Sequence, residues 1–204
     1  MIDTLSKLIE DGGPVMVPLL GLSLLGVAVC IERSWRLLRW NAASHRARTH
    51  RISALLRRGE HGAALALCAA GADPDAALTR QLLAESVRNE AAAIEALEIQ
   101  EARLRRGFSF LATLIVAAPM LGVLGTVMGV IRSFKTLTEN AAANPSSSVK
   151  LGALSGGISE ALVATATGIA VALIILFPYN MLRGISERIS SRLEGLAAAA
   201  LSLK

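Results

Sequence analysis

"SGGISEALVATATGIAVALIILF", residues 155–177, decides how this chain is read. The stretch holds small and apolar residues, carries no lysine or arginine, and meets the ~20 residues that a helix needs to span a bilayer. One residue does not fit. Glu160 sits near the start, and a carboxylate in hydrocarbon costs roughly 3 kcal/mol on insertion scales and more on simulation scales. Such a group persists where it faces a partner or a wet cavity, or where it snorkels to the headgroups from a helix end. Gly156, Gly157, Ile158 and Ser159 precede it and can carry the helix outward, which buries Glu160 further and favours a functional role.

The rest of the composition agrees with a membrane chain. Hydrophobic residues make up 53% and mean hydropathy is positive, too apolar for an ordinary soluble domain. Aromatics are only 3%, so abundant Ala and Gly must do the packing, as in closely approaching membrane helices. The net charge of +5 lies beside and between apolar runs rather than in one stripe, which excludes nucleic acid as the simple partner and fits positive-inside topology. Cys30 and Cys68 are far apart and suggest no disulfide. His45, His50 and His61 lack ligand spacing, so no metal and no cofactor is expected.

Three apolar runs are present: Val15 to Ile31, Phe108 to Ile131 and Ala161 to Tyr179. The lead before the first has Asp3, Glu10 and Asp11 against Lys7, unlike a secretory signal, so the first run reads as a retained span. Arg33, Arg36 and Arg39 follow span one and Arg103, Arg105 and Arg106 precede span two, which places the intervening segment in the cytoplasm. The expected organisation is a periplasmic lead (1–13), transmembrane helix 1 (14–38), a cytoplasmic helical loop (39–107), transmembrane helix 2 (108–135), a periplasmic loop (136–152), transmembrane helix 3 (153–180) and a cytoplasmic C-terminal helix (181–204). The fold class is all-α membrane protein, with the N-terminus outside and the C-terminus inside. In the cytoplasmic segment, Gly71 reads as a stop, Asp73 as an N-cap and Pro74 as the first helical residue. From there to Arg106 no Pro or Gly intervenes, and Leu83, Val87, Ile94, Leu97 and Leu104 predict one long amphipathic helix feeding directly into span two.

Within span two, Ala118, Gly122, Gly125 and Gly129 share one helical face, a surface built for another helix. Pro119 frees the carbonyl of Ile115, which predicts a kink, beside a hydrated cavity or merely tolerated. Span three offers a matching face of Ala161, Thr165, Gly168 and Ala172. Glu160 and Thr167 lie on a different face, and on an ideal helix Glu160 and Thr165 point about 140° apart, too far to aim squarely at one point. Thr126 lies next to the glycine face, where a lone threonine usually bonds back to its own helix.

Enzyme signatures are absent. "GVIRSFKT", residues 129–136, has Phe134 where a phosphate loop requires glycine. No Ser-x-x-Lys, Gly-x-Ser-x-Gly or His-Glu-x-x-His pattern occurs, and three spans do not divide into inverted repeats. The chain is not expected to be an enzyme.

"APMLGVLGTVMGVIRSF" (118–134) followed by "GGISEALVATATGIAVALIILFPYN" (156–180), with "GEHGAALALC" (59–68) between spans one and two, resembles the ExbB/TolQ/MotA proteins, specifically the ExbB and TolQ branch. The resemblance covers nearly the whole chain. It implies a multi-pass subunit of the bacterial inner membrane, assembled as a ring-forming homo-oligomer, typically a pentamer, around an ExbD/TolR-type single-span protein. A partner aspartate would carry protons down the proton-motive force, and a TonB- or TolA-like protein would deliver the work to the envelope. By motif position, Thr126 and Thr165 would line the ring interior, Glu160 would be the acidic residue of the same pore region, and Thr167 adds a hydroxyl to its face. Family members usually have a proline at the position of Ile174; here Pro178 stands one turn later, shifting the expected kink toward the cytoplasm. These departures leave the driven system open, and the ion as H⁺ first and Na⁺ second. A passive helical membrane scaffold or assembly factor is the competing reading; it should tolerate Glu160→Gln and Thr165→Val.

Overall fold

The computed structural model describes residues 12–69, 71, 73–84, 90–143 and 147–201. The described residues form helices and turns, with seven helices and no strand among them: α1 (Met16–Trp40), α2 (Ala43–Arg57), α3 (His61–Cys68), α4 (Pro74–Leu83), α5 (Glu90–Arg105), α6 (Phe108–Ala143) and α7 (Ser147–Leu201). Most of the expected lead (1–11), Val87 and the final three positions lie outside the described residues. Three helices are long and apolar enough to cross a membrane: α1, the one carrying the second apolar run, and α7. At 1.5 Å per residue even the 25 residues of α1 exceed the ~30 Å of a bilayer core.

The chain forms two compact units. The first comprises Met1–Cys30 and Phe110–Tyr179. Its interior is small: Val15, Leu19, Leu111, Leu114, Ala118, Val171, Ala172 and Ile175 pack where the three apolar helices meet. Outside, Leu24, Met120, Leu162 and Phe177 are each more than 60% exposed. Leaving that much apolar surface in water forfeits about 25 cal/mol per Å². Hydrocarbon removes the cost, so the exterior of this unit is built for lipid or for other apolar helices.

The second unit comprises Ile31–Ser109 and Asn180–Lys204 and has the core of a soluble helical bundle. Leu37, Ile52, Leu56, Leu78, Leu104, Leu182, Ile189 and Leu193 are fully buried. Asp73 caps α4 by accepting from the Ala76 amide at 3.4 Å, with Pro74 at the first helical position.

The expected single helix from Pro74 to span two is not formed. α4 ends at Leu83, Ala84 is extended (ψ 141), and a separate helix runs from Glu90 to Arg105. Two shorter helices can fold against each other and bury Leu78 and Leu82 of one with Ala93, Ala96 and Leu104 of the other, which a straight rod cannot do. Gln100, itself buried, donates to Gln81 across the pair at 3.0 Å. Ile94, expected on the apolar stripe, is half exposed. Gly107, with φ +85, then separates α5 from α6.

A side chain at Gly107 would be strained by that φ and would place its Cβ 2.9 Å from Nε of the buried Arg33. Gly107→Ala should therefore destabilise the chain by about 1–3 kcal/mol, read as a lowered midpoint of thermal unfolding in detergent. The connection expected as a loop over 136–152 also differs. Both flanking helices run into it, α6 to Ala143 and α7 from Ser147, because the Ala141–Ala143 run continues a helix at little cost. The third apolar run and the C-terminal segment form one continuous helix of 55 residues that passes through Pro178.

The second unit also buries a carboxylate. Asp75 is 1% exposed, accepts from Thr49 Oγ1 at 2.8 Å and lies 3.4 Å from an Arg192 nitrogen. Burial pushes its carboxyl above the usual range, and Arg192 and Thr49 pull it partly back. The folded chain therefore binds this proton more readily than the unfolded one. Stability from this group is highest below the unfolded value near ~3.9 and is lost as pH rises through the raised folded value. Asp75→Asn should remove that component. The unfolding midpoint of the variant relative to wild type should rise between pH 4 and the folded value and level off beyond it.

Candidate functional site at the second and third apolar helices

The second and third apolar helices meet through their small residues. A Cβ at Gly122 would stand 3.0 Å from Ala164 O and Thr165 Cα; at Gly129, 2.8 Å from Gly157 O; and at Gly168, 2.6 Å from Ala118 O. Gly125 faces the Ala164 methyl. The partners climb α6 as they descend α7, the register of an antiparallel pair with backbones in near contact. At Gly122, Gly129 and Gly168 a side chain has no room between them. Ala172 is buried in the adjoining cluster with Ala118. Pro119 lies inside α6 and Pro178 inside α7, each helix continuing past its proline.

The four hydroxyl and carboxyl candidates separate. Thr165 Oγ1 donates across the pair to the Gly122 carbonyl at 3.0 Å. Thr126 and Thr167 instead bond back to their own helices, to Val123 O at 2.6 Å and Val163 O at 2.8 Å. Glu160 takes neither route: its Oε1 accepts from Arg132 Nη1 at 2.7 Å. The carboxylate also rests on the backbone of Gly13, where φ is +71 and any side chain would occupy the place of the carboxylate oxygen. The structure thus brings Glu160 together with Arg132 and Gly13, and Thr165 with Gly122. It joins none of the three threonines to Glu160 by a hydrogen bond.

Arg132 is the residue that the sequence reading missed. Its signal was a cation one turn beyond Gly129 on a helix whose glycine face was already assigned. With Gly129 packed on Gly157 and Ala161, the next turn of α6 must meet the turn of α7 that carries Glu160. Among the described residues no group of three His, Cys, Asp or Glu side chains could hold a metal ion.

Comparison with known proteins bears on what such a helix pair does. The family model described as the MotA/TolQ/ExbB proton channel family matches residues 66–195, which include the helix pair and most of the second unit. The chain belongs to the MotA/TolQ/ExbB proton channel family. It is similar to the biopolymer transport protein ExbB-like 3 of Synechocystis sp., 34% identical over 183 residues, covering 87% of this chain and 84% of that protein. Biopolymer transport protein ExbB-like 1 of the same organism is 34% identical over 185 residues, 87% of this chain and 70% of that one. The Tol-Pal system protein TolQ of Pseudomonas aeruginosa is 33% identical over 122 residues, 60% of this chain and 47% of TolQ. The chain thus has ExbB-like and TolQ relatives within a family described as proton channels.

Proposed function

We propose that this chain is the proton-conducting, stator-like subunit of a bacterial inner-membrane motor. It forms a ring, a pentamer by family likeness, around an ExbD/TolR-type single-span protein, and with a TonB- or TolA-like protein it turns the proton-motive force into work on the envelope. The orientation that fits the arginine distribution puts the first residues in the periplasm and the end of α7 in the cytoplasm. Thr126, Glu160, Thr165 and Thr167 belong to the ion pathway in this reading.

The observation that carries the proposal is a carboxylate held inside an apolar helix pair and still accessible. The Glu160 side chain keeps 21% of its exposure, beside a guanidinium and a hydroxyl-bearing helix, within a family described as proton channels. Ionisable groups within membrane helices are by default read as parts of ion pathways or proton relays. The wide apolar exterior of the first unit supports assembly with further membrane helices.

One observation favours a passive scaffold: Thr165 and Glu160 both make direct interhelical bonds, as packing residues would. Native mass spectrometry of the protein drawn from its own membrane in mild detergent separates the two. The motor reading predicts five copies carrying two copies of a small single-span chain. A monomer or dimer lacking such a chain, under conditions that keep a known membrane pentamer intact, would favour the scaffold.

A further inference from the structure

The pairing of Glu160 with Arg132 bears on which ion can use the site. A lone carboxylate in a hydrated membrane cavity is a hard oxygen ligand, and rings of such groups are how cation channels attract metal ions. Here the place of that cation is taken. Arg132 Nη1 lies 2.7 Å from Glu160 Oε1 and supplies a tethered positive charge there. The same oxygen, Oε1, also abuts the backbone of Gly13, whose missing side chain leaves the room it needs. The three parts come from three separate segments of the first unit: the turn before α1, the outer portion of α6 and the early part of α7.

We propose that Arg132 is a specificity-determining residue, a tethered cation that fills the site Glu160 would otherwise offer to Na⁺ or K⁺ and so leaves the route open to protons alone. This rests on the reading of Glu160 as part of the ion pathway. A mobile cation entering the site must either displace the guanidinium or sit beside it. Two like charges ~4 Å apart at an effective dielectric of about 20 disfavour joint occupancy by roughly a thousandfold before screening. Arg132 is 49% exposed, so solvent reduces this, and about tenfold exclusion is the effect to look for. A proton meets the same charge repulsion, but it does not need the place that the guanidinium fills. It needs no coordination shell: an O–H bond forms at the second carboxylate oxygen as one breaks in the donating water chain, and the same proton leaves to the next water with Arg132 still in place.

The test separates binding from conduction. In ²³Na NMR of the full chain in detergent, Arg132→Gln should show sodium line broadening about tenfold above wild type, abolished by the added Glu160→Gln substitution, and Arg132→Lys should behave as wild type. In vesicles holding the complex with its single-span partner, ²²Na⁺ uptake under an imposed potential should follow the same order while wild type passes protons. Sodium binding and uptake by Arg132→Gln no greater than in wild type, in a variant that unfolds at the wild-type temperature, would overturn the inference. Wild-type vesicles that pass no protons, with sodium binding to Arg132→Gln as described, would refute the channel reading and leave Arg132 as the guard of a cation site only.

Discussion

Gly168→Val should separate the second and third apolar helices. Its Cβ would stand 2.6 Å from the Ala118 carbonyl oxygen and 3.1 Å from Gly122 Cα, and these are backbone atoms that move only if the helices part. Overpacking of this kind costs about 1–3 kcal/mol, and the parted helices also lose the Thr165 bond to Gly122, where interhelical bonds in membranes average ~0.6 kcal/mol. A total near 2–4 kcal/mol would lower the thermal unfolding midpoint sharply. Gly156 is the control. Nothing lies within 4 Å of a Cβ there, so Gly156→Ala should be neutral or stabilise by up to about 1 kcal/mol through helix propensity. If both substitutions behaved alike, glycine would matter here for the helix alone and not for its contact.

The second large effect concerns Glu160→Gln. It keeps the shape of the side chain and removes the only ionisable group of residues 155–177. Arg132 loses its ionic partner, but at 49% exposure it can turn to water, so the fold should survive with a loss under about 1 kcal/mol. Proton flux through the assembled complex should fall at least ~100-fold, the scale on which a positioned acid–base group acts. Thr165→Val should cost flux and stability together, because its hydroxyl ties the helices at Gly122. A variant Glu160→Gln with full flux and normal stability would place the carboxylate off the route.

Much of this arrangement was legible beforehand because helical periodicity alone carries it. The faces Ala118–Gly122–Gly125–Gly129 and Ala161–Thr165–Gly168–Ala172 follow from spacings of three and four, and the small residues on them admit a close partner. What they do not give is which turn of one helix meets which turn of the other. That register decides whether Glu160 meets Arg132, and it depends on how far α6 and α7 extend, which the polar composition of 136–152 understated. The broken stalk has a different cause. Its apolar spacing suited one helix, but the energy lay in folding α4 back on α5, a tertiary term that no local pattern records. Gly107 makes the second break, which the expectation of a helix feeding directly into span two passed over; its positive φ and the room it gives Arg33 explain why glycine stands there. Asp75 gave no signal, since its burial follows from Arg192, far along the chain, closing over it.

The central claim is that this chain, with its partner, conducts protons. The most direct measurement is internal pH in vesicles reconstituted with the complex from its own membrane, after a potassium diffusion potential is imposed. The account predicts acidification at a rate well above protein-free vesicles for wild type and near their rate for Glu160→Gln. Equal rates in wild-type, Glu160→Gln and protein-free vesicles, from a complex shown to be intact, would contradict it.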